Sequence, residues 1–125
     1  MRMWRSSAVS PVQHATMARI RSTRDEDRMA TYIELVNWTD QGVRNAKDTI
    51  KRAKAFAEAA QAMGVTVSSV KWTLGTYDLV VTLEAPDDET VTRMGLMLAQ
   101  QGNVRTTTMR AFGEEEMARI IGGLK

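Results

Sequence analysis

The sequence predicts an α+β domain with the element order strand, helix, strand, strand, helix, strand, followed by a terminal helix. Three observations support this prediction. Short runs rich in branched and aromatic residues alternate in polarity with a period of two, as half-buried strands do. Two longer segments between them repeat apolar residues every three to four positions, which is typical of amphipathic helices. Finally, Gly75 separates two of the runs and marks a hairpin turn.

The first half of the domain contains one strand and one helix. The strand is expected over Ala30–Trp38 (ATYIELVNW), and turn-forming residues at 39–42 end it. The helix is expected to begin at Asp48 or Thr49, which are suitable N-caps, and to end at Gly64.

A hairpin follows. The second strand is expected over residues 65–74, and its apolar side chains change parity at Ser68 and Ser69, which predicts a β-bulge. Gly75 supplies the turn, and residues 77–84 alternate clearly as the third strand.

The last part of the chain is expected to hold a helix that begins near Pro86 and ends at Gly102, a strand over 103–112 and a helix over 114–121. Acidic residues in the first turn of each helix complement the helix dipole, so we do not predict a magnesium site there. In the terminal helix we expect three apolar residues to face inward: Met117, Ile120 and Ile121.

Two right-handed crossovers around a hairpin predict a ferredoxin-like βαββαβ fold, with an antiparallel sheet and helices on one face. The other face is left open. From strand parity we expect it to carry Tyr32, Val36, Asp78, Val80 and Thr82. Such an apolar face marks a partner surface, and we expect a second copy of the chain to cover it, giving a homodimer or higher homo-oligomer.

The composition limits the function classes. A chain of 125 residues, 43% hydrophobic and 26% charged, suits one globular domain. It has no cysteine, which excludes disulfides and thiolate sites and suits a cytoplasmic location. No stretch has the apolar length of a secretory signal or a membrane helix, so no membrane association is expected.

The charge is distributed unevenly. Residues 1–28 hold six arginines against three acids, whereas residues 29–125 hold eleven basic and twelve acidic side chains. We expect a basic extension over 1–28 that is disordered or weakly ordered, or a natural start at Met29, and a folded domain over 29–125. His14, the single histidine, falls in the extension, so no metal site is predicted. The near-neutral domain gives no support for nucleic-acid binding.

Four blocks of the sequence, YIELVNWTDQGVRNAKDT, WTLGTYDLVV, APDDE and GNVRTTTMRAF, resemble the GYD domain family. The residues that name the family stand here as Gly75, Tyr77 and Asp78. The resemblance covers Met29 to Gly122 and implies a fold similar to the dimeric α+β barrel proteins, without a settled biochemical role. The chain differs at Ile50, where relatives often place proline at the helix start, a mild change.

Asp78 is the candidate catalytic residue. If it lies on the open face and a second subunit covers it, desolvation would raise its pKa and make it a general base. Alternatively, it is structural and bonds to the hairpin or to an arginine. Arg105 could reach a ligand carboxylate or Asp78 through its planar fork, or it is a solvated arginine on an edge strand.

Three further residues are candidate ligand contacts. Trp72 and Tyr77 flank the turn, where large side chains with polar tips bind ligands or anchor a core or interface. Asn37 lies at the end of the first strand and could line a pocket mouth, although turn chemistry favours the same residue types. No cofactor is predicted.

Two functions remain open. The first is a small-molecule-binding or sensing homo-oligomer, with the ligand between the open sheet and its partner. The second is a cofactor-independent enzyme that acts by proton transfer, with Asp78 as base and Arg105 or Tyr77 as orienting groups. Both rest on fold resemblance. An RNA platform is disfavoured because it needs exposed aromatic pairs and a basic surface.

Overall fold

The computed structural model describes residues 29–125; the expectations for residues 1–28, including His14, lie outside this range. The elements in chain order are β1 (Ala30–Trp38), α1 (Asp40–Arg44), a 3₁₀ turn (Ala46–Asp48), α2 (Thr49–Ala62), β2 (Thr66–Trp72), β3 (Leu79–Ala85), α3 (Asp88–Gln100), β4 (Val104–Ala111) and α4 (Glu114–Gly122). The strands form one antiparallel sheet in the order β2-β3-β1-β4. This confirms the predicted α+β ferredoxin-like arrangement and its terminal helix.

The hydrophobic core lies between the sheet and helices α2 and α3. Strand β3 contributes Leu79, Val81 and Leu83, and the helices and their connections contribute Ala60, Val65, Val91 and Met94. Strand β1 contributes Tyr32 and Val36, which are 3% and 4% exposed. Our expectation that these two side chains lie on the open face is therefore wrong.

The open face of the sheet carries the residues of opposite parity. Ile33 pairs with Thr82, and Leu35 pairs with Val80, at the centre of the sheet. Met109 on the edge strand β4 pairs with Ile33 from the other side and is 40% exposed. The prediction that Val80 and Thr82 lie on the open face is confirmed. On β1, it is Ile33 and Leu35 that lie on this face, and not Tyr32 and Val36.

The hairpin between β2 and β3 is longer than a two-residue turn. The register between these strands shifts between Val67 and Ser69, which confirms the predicted bulge. Beyond β2, the Thr73 amide donates to the carbonyl of Asp78 at 2.8 Å. Gly75 has a φ of +113°, a region that favours glycine, so it closes a four-residue loop. Strand β3 consequently begins at Leu79, two residues later than predicted.

Helix α1 occupies a segment that we interpreted only as a turn. Thr39 caps it, since its Oγ1 accepts from the Gly42 amide at 3.1 Å and donates to the Gly102 carbonyl at 2.5 Å. Through its bond to Gly102, Thr39 therefore also connects α1 to the turn between α3 and β4.

The last two helices differ in how they are packed. Asp87 caps α3 by accepting from the Thr90 amide at 2.8 Å, and α3 buries Val91 and Met94. Helix α4 is held at its start by the 2.8 Å ion pair between Arg110 and Glu116. We expect Met117, Ile120 and Ile121 to face inward, but within one chain this prediction is wrong. All three side chains are about half exposed. Among residues 29–125, no helix is long and apolar enough to cross a bilayer.

Candidate ligand-binding pocket

Glu34 is the most unusual side chain in the core. It lies in the middle of β1, on the face that the helices cover, and is 0% exposed. Its Oε2 accepts a hydrogen bond from Thr108 Oγ1 at 3.1 Å. Its Oε1 is the one buried side-chain polar atom in residues 29–125 without a hydrogen-bond partner. Burial raises the pKa of Glu34 above its ordinary value, and the Thr108 bond only partly opposes this.

A cavity, which we call the Glu34 pocket, lies between the sheet, α2 and the C-terminal end of α3. Its volume is about 60 Å³, room for about two waters at a liquid volume of roughly 30 Å³ each. Its walls are mainly apolar and include Val36, Phe56, Val70, Leu79, Val81 and Leu98. A mainly apolar cavity with few polar groups is the usual form of a small-molecule site.

The polar part of the pocket lining comes from α2 and from the segment after α3. It consists, besides Glu34, of Thr49, Arg52, Gln101 and Asn103. The pocket thus combines a buried carboxyl group with a guanidinium and two amides, and these groups can fix the orientation of a bound molecule.

Helix α1 positions this polar part. Gln41 Nε2 donates to the Gln101 carbonyl at 3.0 Å and to Asn103 Oδ1 at 2.9 Å. Gly42 approaches the same segment so closely that a Cβ there would overlap the Asn103 carbonyl oxygen. Arg52 donates to the Asn45 carbonyl at 2.6 Å and to that of Gly42 at 3.4 Å. One wall of the pocket therefore depends on the α1 contacts.

A second, wider groove of about 860 Å³ runs between α3, β4 and residues 39–41. It is open to solvent and its lining is as polar as it is apolar, with Thr92, Thr106 and Arg105 among its residues. Glu34, whose Oε1 is unpaired, lines the smaller pocket, which makes that pocket the stronger candidate site.

The structure gives Asp78 a structural contact. Its Oδ2 accepts from the Trp38 amide at 2.9 Å, and its own amide donates to the Val36 carbonyl at 2.8 Å. Asp78 thereby continues the pairing of β1 beyond the start of β3. In residues 29–125 the one salt bridge joins Arg110 to Glu116, so Asp78 and Arg105 do not pair within one chain.

The other residues predicted for the site are dispersed. Trp72 donates from its indole nitrogen to Thr49 Oγ1 at 3.0 Å and covers the start of α2. Tyr77 lies in the hairpin loop, where its carbonyl accepts from Thr73 Oγ1 at 2.6 Å. Asn37 and Arg105 are register partners on β1 and β4. None of these four lines the Glu34 pocket, and Arg105 lines the wider groove instead.

Sequence reasoning missed Glu34, Arg52 and Phe56. A signal for Glu34 was present, because it shares its parity in β1 with Tyr32 and Val36. Once those side chains are assigned to the core, a carboxyl group between them must also be buried. Within residues 29–125, no cluster of three or more potential metal ligands occurs.

The fold and the pocket together define an α+β domain with a small, largely apolar cavity between its sheet and helices. The chain belongs to the GYD domain family, whose model matches residues 32–121. It is also similar to a protein from Thermus thermophilus named "Glutamine synthetase and cystathionine beta-lyase binding protein". The two are 37% identical over 98 residues, which cover 78% of this chain and 100% of that protein. No solved structure matches the chain.

Proposed function

We propose that this GYD domain protein is a small-molecule-binding homo-oligomer whose ligand occupies the Glu34 pocket. The proposal rests on one observation: a fully buried carboxyl group with one unpaired oxygen belongs to a residue that lines a cavity with apolar walls. Buried polar groups in folded proteins are nearly always paired. Leaving one unpaired costs about 1–3 kcal/mol, which a ligand that bonds to Oε1 would recover.

Mass spectrometry of the purified protein tests this proposal. A small molecule should co-purify with the wild-type chain and be released on denaturation. Ala53 lines the pocket, whereas Ala55 is exposed on the same helix. Ala53→Leu should therefore reduce the bound molecule several-fold, and Ala55→Leu should leave it unchanged. Equal amounts of the molecule in both variants would place it elsewhere and refute the proposal.

The open face of the sheet supports the oligomeric part of the proposal. Ile33, Leu35 and Val80 lie together at its centre and are partly exposed to solvent. A second copy that packs against this face would remove these apolar side chains from water. A light-scattering mass equal to one chain at micromolar concentration would contradict this.

A second function, docking on a protein partner, is supported by the relative. The Thermus protein is named for binding glutamine synthetase and cystathionine beta-lyase, and this chain aligns with its whole length. We propose that this chain also binds an enzyme. Immobilised chain should retain purified glutamine synthetase or cystathionine beta-lyase from the same source organism in a biolayer experiment. Failure of both enzymes to bind would reject this role and leave the small-molecule proposal intact.

The alternative function is a cofactor-independent enzyme that uses proton transfer. Asp78 is occupied by the Trp38 amide, whereas Glu34 has an unpaired oxygen and a raised pKa, so Glu34 is the better candidate for the proton carrier. Incubating the co-purified molecule with fresh protein and following it by NMR distinguishes the two functions. Turnover favours the enzyme, and an unchanged spectrum favours the binding protein.

The cytoplasm remains the expected compartment, which cell fractionation tests.

A further inference from the structure

Helix α4 has no packing surface within residues 29–125 of one chain. The ion pair between Arg110 and Glu116 fixes its start, as does the bond from the Gly113 amide to Glu116 Oε1 at 3.1 Å. The helix buries none of its residues, and every residue from Met117 to Lys125 is exposed. A nine-residue helix is marginal in water by itself, because protein helices gain most of their stability from packing an apolar face. Helix α4 therefore needs a partner surface that these residues of the same chain do not supply.

The apolar side chains of α4 form one continuous row, which we call the α4 stripe. Met117, Ile120 and Ile121 are spaced as i, i+3 and i+4, so they lie on one side of the helix. Leu124 extends the row to i+7, because its amide donates to the Ile121 carbonyl at 2.9 Å and continues the turn. These four side chains are 44–75% exposed. An exposed apolar row of this length marks an interaction surface.

The open face of the sheet offers an apolar surface of matching length. Ile33 and Leu35 lie two residues apart on β1, a distance of about 7 Å in a strand. Val80 lies beside Leu35, and Met109 extends the surface toward the edge strand β4. The α4 stripe is about 10 Å long at the helical rise of about 1.5 Å per residue. A helix of this length covers the apolar centre of the face and leaves its ends to polar contacts.

The open face also has one basic end and one acidic end. Lys71 is the register partner of Val80, and Arg105 lies opposite Asn37, so both cations are near the C-terminal end of β1. At the other end of the face, Glu84 lies opposite the start of β1. All three charged side chains are exposed. The face is therefore polarised along its strands.

Helix α4 begins at the acidic end of its own sheet. Ala111, the last residue of β4, lies opposite the start of β1, and Glu114 and Glu115 open α4 shortly after it. Repulsion between like charges therefore opposes the packing of α4 on its own open face. A second copy related by a two-fold axis across the strands presents its basic end to these two acids instead. Charge complementarity thus favours the face of a second copy.

We propose that α4 of each copy packs by its stripe on the open face of a second copy, with its acidic first turn at the basic end of that face. This inference rests on the proposed homo-oligomer and names the element that covers each sheet. The exchange is reciprocal, because a two-fold interface repeats each contact. One arrangement then removes two exposed apolar surfaces from water, the α4 stripe and the open face.

Cysteine cross-linking tests this contact directly, because the full chain has no cysteine of its own. Leu35→Cys chains are mixed with size-tagged Ile121→Cys chains, allowed to exchange and oxidised. Since a disulfide forms only between close Cα atoms, the linked mixed dimer should form in several-fold excess over that of the control mixture. The control replaces Leu35→Cys by Ile50→Cys, which lies exposed on α2.

Other arrangements give different linked products. Linkage of Ile121→Cys chains only to one another would show that two α4 helices pair. Linkage of Leu35→Cys chains only to one another would show that the sheets pack directly. Either result, or a mixed dimer no more abundant than in the control, overturns the proposal.

A charge within the stripe provides a second test. Ile121→Glu should raise the dissociation constant of the dimer about tenfold or more, measured by light scattering over a concentration series. Ala118→Glu adds the same charge to the same helix outside the stripe and should leave the constant unchanged. Equal weakening by the two variants would show that only the added charge matters and would reject the packing of the stripe.

Lys71→Glu tests the orientation of the helix. This variant places an acid opposite Glu114 and Glu115 and should weaken association several-fold, an effect that high salt reduces. Lys51→Glu makes the same change at an exposed position of α2 and serves as its control. Unchanged association of Lys71→Glu would refute the placement of the first turn at the basic end.

The outcomes also separate this inference from the proposed function. If the wild-type mass is that of one chain at micromolar concentration, the homo-oligomer and this inference both fail. If Leu35→Glu separates the copies while Ile121→Glu has no effect, the homo-oligomer stands and the role of α4 is wrong. The Glu34 pocket lies on the other side of the sheet, so its ligand test is independent of both.

Discussion

Thr108 donates a hydrogen bond to Glu34 across the β1–β4 pair, at 3.1 Å between Oγ1 and Oε2, and the two residues are register partners. This bond satisfies one oxygen of a fully buried carboxyl group and leaves the other unpaired. Removing one partner from a buried polar pair costs stability, and a carboxyl group half satisfied in the ligand-free state carries such a cost permanently. The relationship therefore predicts that the charge and the unpaired oxygen of Glu34 both lower the stability of the folded chain.

The first prediction is that Glu34→Gln makes the protein less sensitive to pH. The pKa of Glu34 is raised in the folded state, so the native protein holds its proton more tightly than the unfolded chain. Its contribution to stability is complete below the unfolded pKa of about 4.5 and is lost as pH rises through the folded pKa. Relative to wild type, Glu34→Gln should thus gain stability on going from pH 4 to pH 8.

Urea denaturation at both pH values measures this difference. Glu84→Gln is the matched control, because Glu84 is exposed on the open face of β3. A pH-dependent gain in Glu84→Gln equal to that in Glu34→Gln would show that the effect is not due to burial of Glu34.

The second prediction concerns two glycines in helices. Gly42 is buried in α1, and a Cβ there would overlap the Asn103 carbonyl oxygen. Gly42→Ala should therefore cost about 3 kcal/mol through overpacking. Gly95 lies in α3 with no neighbouring atom within 4 Å of an added Cβ, so Gly95→Ala should stabilise by about 1 kcal/mol through helix propensity. Thermal melts of both variants check the prediction. A Gly42→Ala variant that melts at the same temperature as wild type would show that the contact between α1 and Asn103 is not tightly packed.

Local sequence signals were sufficient for the order of the elements. The alternation of β1, the bulge near Ser68 and the carboxylate cap of α3 each depend on residues close in the chain. The fold follows from them because few topologies connect such elements with short, right-handed crossovers. Helix α1 was missed because its stability depends on contacts with residues 101–103, about sixty positions away.

The site was harder to predict than the fold. Alternation divides the side chains of β1 into two sets without saying which set the helices cover. Choosing the wrong set placed Tyr32 on the open face and left Glu34 unrecognised as a core residue. The pairing of Arg52 with the α1 carbonyls depends on the position of α1, which no local pattern reveals.

The third prediction separates structure from catalysis at Asp78. Because Asp78 Oδ2 accepts from the Trp38 amide, Asp78→Ala leaves this donor unpaired and should cost about 1–3 kcal/mol. Asp78→Asn keeps an acceptor oxygen and should cost less than about 1 kcal/mol. Both variants should retain the co-purified small molecule like wild type once folded. Lost binding in a fully stable Asp78→Asn variant would instead support a direct role in the site.

The fourth prediction tests the open face of the sheet. Leu35 lies at its centre opposite Val80, so Leu35→Glu would place a charge in the proposed interface between copies. We expect this variant to elute as a folded monomer in size-exclusion chromatography with light scattering. Ile50→Glu alters an exposed apolar residue on α2 and should keep the wild-type mass. An unchanged mass for Leu35→Glu would show that the copies associate through another surface.

The last prediction concerns Tyr32, whose hydroxyl donates to Asp88 Oδ1 at 2.5 Å at the start of α3. Burial first, and then the bond to Asp88, raise the pKa of Tyr32 to about 12, although the nearby Arg110 opposes this. Because the folded pKa lies above the unfolded value of 10.0, the contribution of Tyr32 to stability is complete below pH 10 and is lost as pH rises toward 12. Tyr32→Phe should cost about 1 kcal/mol at pH 8.

That cost should shrink by up to about 1 kcal/mol at pH 11, less than full linkage because the hydroxyl bonds to Asp88, which is exposed. Urea denaturation of wild type and Tyr32→Phe at the two pH values measures the change, and lysine titration cancels because both proteins share it. A cost that stays constant with pH would mean that the Tyr32 hydroxyl titrates alike in the folded and unfolded chains. The bond to Asp88 would then not link β1 to α3 in solution.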